Sequence, residues 1–148
     1  MRYEIIDNSL FINNRKNFLD RVDKNSASVF VSNEFMPTNA DETLHFVQNT
    51  NLLYLTGIDQ EDTFLILAPN FPDKKMREIL FIKETSKEIA IWEGNKFTKE
   101  EARKISGIET IMWNNNFKNV LDLILAQTEN IYLEKNEHIR SSTKIETP

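Results

Sequence analysis

The side chains best able to do chemistry in this sequence are two histidines and one acidic turn. His45 lies between two apolar residues, which favours a structural histidine over a metal ligand, and no HExxH zinc motif is present. His138 lies in a polar C-terminal stretch. The turn of residues 59–62 carries three carboxylates, for which a solvated turn is a simpler interpretation than a metal site. The sequence contains no cysteine, which excludes thiolate catalysis and disulfides.

Sites that depend on glycine or serine motifs are not predicted either. The three glycines, Gly57, Gly94 and Gly107, fit neither GxGxxG nor GxxxxGK[ST], so no phosphate-binding loop is indicated. No GxSxG nucleophile elbow is present. Residue chemistry by itself therefore predicts no active site.

Two residues outside any catalytic pattern could contact a ligand or a partner. Trp92 lies in the segment IWEG, and an indole beside a glycine in a loop can offer a flat apolar surface. The alternative interpretation is that the Trp92 side chain is buried in the core. Asp41 lies in a loop that contains Pro37 and two asparagines. The alternative to a contact with a ligand or partner is that Asp41 caps a helix or stabilises a turn.

The elements that must position these residues are arranged around residues 48–57, QNTNLLYLTG. The second half of this segment is an apolar run closed by Gly57, as is typical of a strand buried on both faces. After the acidic turn comes a second apolar run, residues 63–69. Two apolar runs joined by a short polar turn predict a β-hairpin.

The rest of the chain interleaves helical and strand patterns. Apolar spacing predicts helices over residues 10–22 and 117–126, and a capping box begun by Thr98 predicts a helix that ends at Ser106-Gly107. A short helical turn is predicted over 42–47. Further strands are predicted over 27–32, 78–83, 108–112 and 130–134, with 89–96 as another strand or an extended loop. The pattern predicts an α/β fold, a single domain of three layers with a mixed β-sheet of about five to six strands flanked by helices.

Composition narrows the class of protein. A chain of 148 residues fits one domain, and a net charge of −5 argues against nucleic-acid binding, which depends on basic side chains. No apolar run approaches the roughly 20 residues that cross a bilayer, so no membrane partner is predicted. The first residues lack the apolar core of a signal peptide, and with the absence of cysteine this predicts a cytoplasmic location.

Several of these segments match segments of one known protein family and occur in the same order along the chain. The two most specific are QNxxxxYLTG at 48–57 and WxG at 92–94. Further matching segments are Asn14-Arg15, Val29-Phe30-Val31-Ser32, Asn39-Ala40-Asp41, Leu80-Phe81-Ile82, Glu101-Ala102 and Ser106-Gly107-Ile108. Over about residues 9–134 the sequence resembles the N-terminal domain of the aminopeptidase P and creatinase-prolidase family. Val47 departs from this resemblance, because the family often has arginine there.

The resemblance implies the fold of that N-terminal domain over residues 1–134, followed by a linker, 135–148, toward an absent C-terminal catalytic domain. That domain would have the pita-bread fold and hold two divalent metals, commonly manganese. The present chain would hold no cofactor and no catalytic residue. It would be the non-catalytic part of a Xaa-Pro aminopeptidase, which removes an N-terminal residue that precedes proline, and would be inactive alone.

The resemblance also implies partners and two site residues. The domain would pack against its own catalytic domain and associate with other subunits in a homo-oligomer. It would also form part of the entrance through which peptide substrate reaches the active site. Asp41 and Trp92 match family positions near substrate. The carboxylate of Asp41 would pair with the α-amine of a peptide or with a gating arginine, and the indole of Trp92 would pack against proline or the residue beyond it.

Two alternatives stay open from the sequence. One keeps the family and changes the substrate, giving the N-terminal domain of a prolidase or a creatinase-like enzyme. The other is a free-standing α/β interaction module with no enzyme attached.

Overall fold

The strands of the computed structural model form one mixed sheet within the described residues, which are 6–39, 42–86 and 96–134. The strands are β1 (Ser26–Val31), β2 (Phe64–Leu67), β3 (Glu78–Ile82), β4 (Thr110–Trp113) and β5 (Asn130–Leu133). Their order is β4-β3-β2-β1-β5. β2 pairs antiparallel with β1 and β3, whereas the outer strands β4 and β5 each pair parallel with a neighbour.

Helices cover both faces of this sheet. They are α1 (Ser9–Leu19), α2 (Thr50–Thr56), α3 (Lys99–Ser106) and α4 (Phe117–Leu125), with 3₁₀ turns at Lys74–Met76 and Asn114–Asn116. The predicted α/β fold, a mixed sheet flanked by helices, is confirmed. The prediction for 89–96 falls mostly on undescribed residues, and the predicted linker 135–148 lies wholly outside the described ones. Within the described part of the chain, no helix is both long enough and apolar enough to span a bilayer.

The two central strands supply the core on both faces of the sheet. Alternate side chains of β2 and β3 point to opposite faces, as strand geometry requires. Leu65 and Leu80 are fully buried beneath α1, α2 and α3, and Ile66 and Phe81 are fully buried on the face covered by α4. Burial on both faces explains why these strands read as continuous apolar runs.

The predicted hairpin is wrong, because the first of its two apolar runs is helix α2. Asn49 caps this helix: its side-chain oxygen accepts hydrogen bonds from the backbone N–H groups of Asn51 and Leu52, at 2.9 and 3.2 Å. Leu52 and Leu55 are buried, whereas Tyr54 between them is 55% exposed, which is a helical and not a strand pattern. The second run is confirmed as β2, whose antiparallel neighbours are β1 and β3.

Helices α2 and α3 are each followed by a glycine, and both of these helix ends lie against helix α1. Gly57 and Gly107 follow them with φ of +71° and +70°, the left-handed conformation that glycine adopts at helix ends. A Cβ at Gly57 would overlap the ring of Phe11, and one at Gly107 would overlap Ile12. Both glycines therefore permit the close approach of α1.

Arg15 of α1 joins these two helix ends to the sheet. One guanidinium nitrogen, Nη1, donates to the backbone oxygens of Leu55 at 2.8 Å and Ser106 at 2.9 Å, and Nε donates to the Glu78 carboxylate at 3.0 Å. The Arg15 side chain is 1% exposed. The last carbonyls of a helix lack partners within the helix and carry partial negative charge, so a cation placed there is favourable.

We predict that Arg15→Ala lowers the free energy of unfolding by about 3 kcal/mol, because it leaves helix carbonyls without a donor and Glu78 without its cation. Arg15→Lys should cost less, since it keeps the charge but not the planar set of donors. Urea denaturation measures both. Lys16→Ala, at the neighbouring exposed position, is the control and should change the free energy by less than about 0.5 kcal/mol. Equal losses for Arg15→Ala and Lys16→Ala would contradict this role.

Candidate functional site

The two site residues predicted from sequence, Asp41 and Trp92, both lie outside the described residues. The described residues that precede and follow them in sequence, together with a groove elsewhere on the domain, provide three features to consider. The features are an arm that leads to Asp41, an acidic turn bonded to the residues that flank Trp92, and a groove beside β5. His45, in the arm, is exposed, and His138 lies outside the described ranges.

The arm, residues 33–47, leaves the end of β1 and doubles back on itself. Pro37 pairs antiparallel with Thr43, the Leu44 N–H donates to the Met36 oxygen at 2.8 Å, and the Thr38 N–H donates to the Glu42 oxygen at 2.9 Å. The predicted helical turn over 42–47 is therefore wrong, because the extended pairing uses its backbone groups. Met36 and Leu44 are 63% and 53% exposed, so the arm presents apolar side chains to its surroundings.

The acidic turn lies between α2 and β2, and two of its carboxylates are paired with lysines. Glu61 pairs with Lys96, with both side chains largely buried, and Asp62 pairs with Lys83 at 3.7 Å. The interpretation as a solvated turn is thus wrong for Glu61. The described residues contain no group of three or more histidine, aspartate or glutamate side chains that could hold a metal ion.

The groove is an open depression of about 950 Å³ between β1, β5 and the start of α2. Its apolar lining includes Val47 and Leu133, which are 67% and 66% exposed. Among the described residues, the groove is lined by Val29, Val31, Ser32, Asn33, Val47, Gln48, Asn49, Thr50, Asn51, Leu133 and Glu134. A contiguous exposed apolar patch rimmed by polar residues marks a protein interaction site, which makes this groove a candidate contact surface.

The polar side of the groove ties β5 to α2. The Glu134 carboxylate accepts hydrogen bonds from the side-chain amides of Asn49, at 3.2 Å, and Asn51. Gln48, which is buried, donates to the backbone oxygens of Ile58 at 3.0 Å and Gln60 at 2.8 Å. The motif Gln48-Asn49 therefore fixes both the start of α2 and the turn that follows it.

Sequence analysis missed Glu134 and Lys96 as structural partners, because each lies far along the chain from the group it contacts. Among these groups, only Asn49 had a local sequence pattern from which its role as a helix cap could have been predicted. An asparagine three residues before Leu52, with Leu55 a further three on, is a helix-start pattern.

Comparison with known proteins identifies the family. Residues 11–132 match the family model for the N-terminal domain of aminopeptidase P. The chain belongs to this family. The chain is 25% identical to Homo sapiens Xaa-Pro aminopeptidase 3 over 109 residues, which cover 72% of the chain and 21% of that protein.

Solved structures of the family share the fold. A putative aminopeptidase P from Bacillus anthracis matches with a TM-score of 0.83 and 24% identity, covering 95% of this chain and 34% of that one. Aminopeptidase PepP of Pseudomonas aeruginosa matches with a TM-score of 0.81 and 19% identity, covering 91% of this chain and 30% of that one. The chain therefore spans between 21% and 34% of the length of these three relatives.

We predict that Asn49→Ala lowers the free energy of unfolding by about 1–2 kcal/mol, because α2 loses its cap and Glu134 loses a donor. Asn49→Ser keeps a capping oxygen and should recover most of that loss. Thermal unfolding followed by circular dichroism measures both, with the exposed Thr50→Ala as the control. A serine variant as unstable as the alanine variant would show that the cap is not what Asn49 contributes.

Proposed function

We propose that this chain is the non-catalytic N-terminal domain of a Xaa-Pro aminopeptidase. The observation that carries the proposal is the family match over residues 11–132, joined to the short share of each relative that the chain spans. The two solved relatives are named aminopeptidase P, and the human one is named for cleavage beside proline. The proposed compartment is the cytoplasm.

In this proposal the chemistry belongs to the part of the enzyme that follows Glu134. Two divalent metals, with manganese as the proposed identity, would activate water there for hydrolysis of the Xaa-Pro bond. The residues described here would bind no metal and make no covalent contact with substrate. Their task would be to hold the catalytic domain, neighbouring subunits and the substrate entrance in place.

The groove and β5 support association with the catalytic domain. β5 is an outer strand whose residues are all exposed, among them Ile131 at 43% and Tyr132 at 40%. A strand edge with exposed apolar side chains is a surface that proteins normally cover. Because Glu134 lines the groove, the polypeptide that follows it would start at this surface. The apolar arm, which lies apart from β5 in sequence, would serve association between subunits.

The arm and the acidic turn support the proposed entrance role. In the arm, Thr38 and Glu42, which lie on either side of Asp41 in sequence, are hydrogen-bonded to each other. The acidic turn pairs with Lys83 and Lys96, which lie on either side of Trp92 in sequence. Asp41 would meet the α-amine of the peptide or a gating arginine, and Trp92 would pack on proline or on the residue that follows it.

We predict that the 148-residue chain does not hydrolyse Xaa-Pro peptides with added Mn²⁺, whereas the same chain extended to its natural stop codon does. Chromatographic detection of the released residue measures this. A tripeptide with proline second and an Xaa-Pro dipeptide should be run in parallel, because cleavage of the dipeptide alone would assign a prolidase. Activity in the 148-residue chain alone would overturn the non-catalytic assignment.

We predict that Asp41→Ala and Trp92→Ala in the extended enzyme each lower kcat/KM by about tenfold, which corresponds to about 1.4 kcal/mol, without loss of bound metal. Steady-state kinetics and metal analysis measure the two quantities. Glu42→Ala, which removes the acid next to Asp41, is the matched control and should leave kcat/KM unchanged. Unaltered kinetics in both test variants would refute the entrance role.

A further inference from the structure

Helix α4 packs on one face of the sheet, which we call the α4 face. Beneath it Ala27, Val29 and Ile66 are buried, on strands β1 and β2. Phe117, at the start of α4, stacks on Phe64 of β2 with 4.4 Å between the ring centroids. Strand β5 lies beyond β1, on the side away from β2.

The register of β5 places two of its aliphatic side chains on this same face. Ile131 pairs with Ala27 and Leu133 pairs with Val29, and paired residues of neighbouring strands project to the same side of a sheet. Ala27 and Val29 are buried, whereas Ile131 and Leu133 are 43% and 66% exposed. The apolar layer beneath α4 therefore continues onto β5, where the described residues leave it exposed.

Two further aliphatic side chains extend this layer toward the groove. Val31 follows Val29 by two residues in β1, hence lies on the same face, and is 43% exposed. It lines the groove together with Leu133 and Val47. We define the side chains of Val31, Val47, Ile131 and Leu133 as the β1–β5 surface. Exposed aliphatic side chains that continue a hydrophobic core mark a site of contact with another polypeptide.

The opposite face of β5 is bonded within the domain. Tyr132 alternates with the two exposed aliphatic residues, and its hydroxyl donates to the Asp23 carboxylate at 3.0 Å. Glu134, two residues further on, accepts hydrogen bonds from the asparagine amides at the start of α2. These contacts and the pairing with β1 hold β5 in place, so the β1–β5 surface has a fixed shape.

We propose that the β1–β5 surface is where the catalytic domain of the same polypeptide packs, as a layer lying face-on beside α4. This inference rests on the proposed function, which supplies the catalytic domain. Side chains stand roughly perpendicular to a sheet, so only a partner that lies over the face covers Ile131 and Leu133. A strand added to the edge of β5 would bond to its backbone and leave both side chains exposed.

The occupant is inferred from where the surface lies in the chain. Leu133 ends β5, and Glu134 after it lines the groove. The chain spans between 21% and 34% of its three relatives, so most of each relative lies outside the matched part. A tethered domain meets a surface at a much higher effective concentration than a separate molecule does. The catalytic domain is therefore favoured over a second copy of this domain.

Cysteine labelling tests the proposal, because the sequence contains no cysteine of its own. Ile131→Cys and Leu133→Cys are made singly, in the 148-residue chain and in the same chain extended to its natural stop codon. Maleimide modification at each position should be at least about tenfold slower in the extended protein, since the thiol is reached only when the domains separate. Peptide mass spectrometry reads the introduced position, so cysteines in the extension do not interfere. An unchanged rate at both positions overturns the proposal.

Tyr132→Cys is the matched control, because Tyr132 lies between the two test positions, projects to the opposite face and is 40% exposed. Its labelling rate should differ little between the two proteins. An equal slowing at all three positions would show that the edge of β5 is covered, which overturns face-on packing. Slow labelling in the 148-residue chain that becomes fast on dilution would identify a second copy as the occupant and also overturns the proposal.

A charge placed on the surface gives a second test. In the Ile131→Cys background, Leu133→Asp should bring the labelling rate of the extended protein close to that of the 148-residue chain with the same two substitutions. Leu123→Asp, at a 49% exposed position of α4, is the control and should leave the labelling slow. Both positions are exposed, so the melting temperature of the 148-residue chain should change little. Labelling that stays slow with Leu133→Asp would contradict the proposal.

Peptidase assays on the same extended proteins distinguish this inference from the proposed function. Cleavage of an Xaa-Pro peptide without slower labelling at positions 131 and 133 overturns the packing and leaves the proposed function intact. Slower labelling without cleavage leaves the packing intact and refutes the Xaa-Pro aminopeptidase assignment.

Discussion

The buried guanidinium of Arg15 is the constraint on which the helical layer over one face of the sheet depends. Its contacts join four elements that are far apart in sequence: α1 itself, the last turns of α2 and α3, and the first residue of β3. A buried arginine requires that every partner be present, because an unpaired charge there would be costly. Gly57 and Gly107 make the arrangement possible by letting α1 lie directly against both helix ends.

Several polar side chains of the described residues are used inside the domain. Glu61 is neutralised by Lys96, Glu134 is bound by two asparagine amides, and Gln48 holds the turn that follows α2. Exposed large apolar side chains occur on the arm, at Met36, Leu44 and Val47, and on β5, at Ile131, Tyr132 and Leu133.

The wrong assignment of α2 shows where local patterns become ambiguous. A run of a few apolar residues ended by glycine fits both a strand buried on two faces and a short helix with one buried side. The outcome depended on Asn49, which supplies a cap, and on α1, which covers the buried side of α2. The capping box at Thr98 carried no such ambiguity, because both of its partners lie within one turn of helix and its hydrogen bonds form as predicted.

The sequence by itself determined the central strands β2 and β3 and helices α1, α3 and α4, because each of these patterns lies within a short stretch of chain. The α/β class followed from the order of these elements, and the family from matching segments in the same order over about residues 9–134. It identified Asp41 and Trp92 only through resemblance, and both lie outside the described residues. The tertiary structure alone decided the partners of Arg15, Glu61 and Glu134. An ion pair or a side-chain hydrogen bond between distant residues leaves no periodic signal, since it forms only after the topology has brought the two groups together.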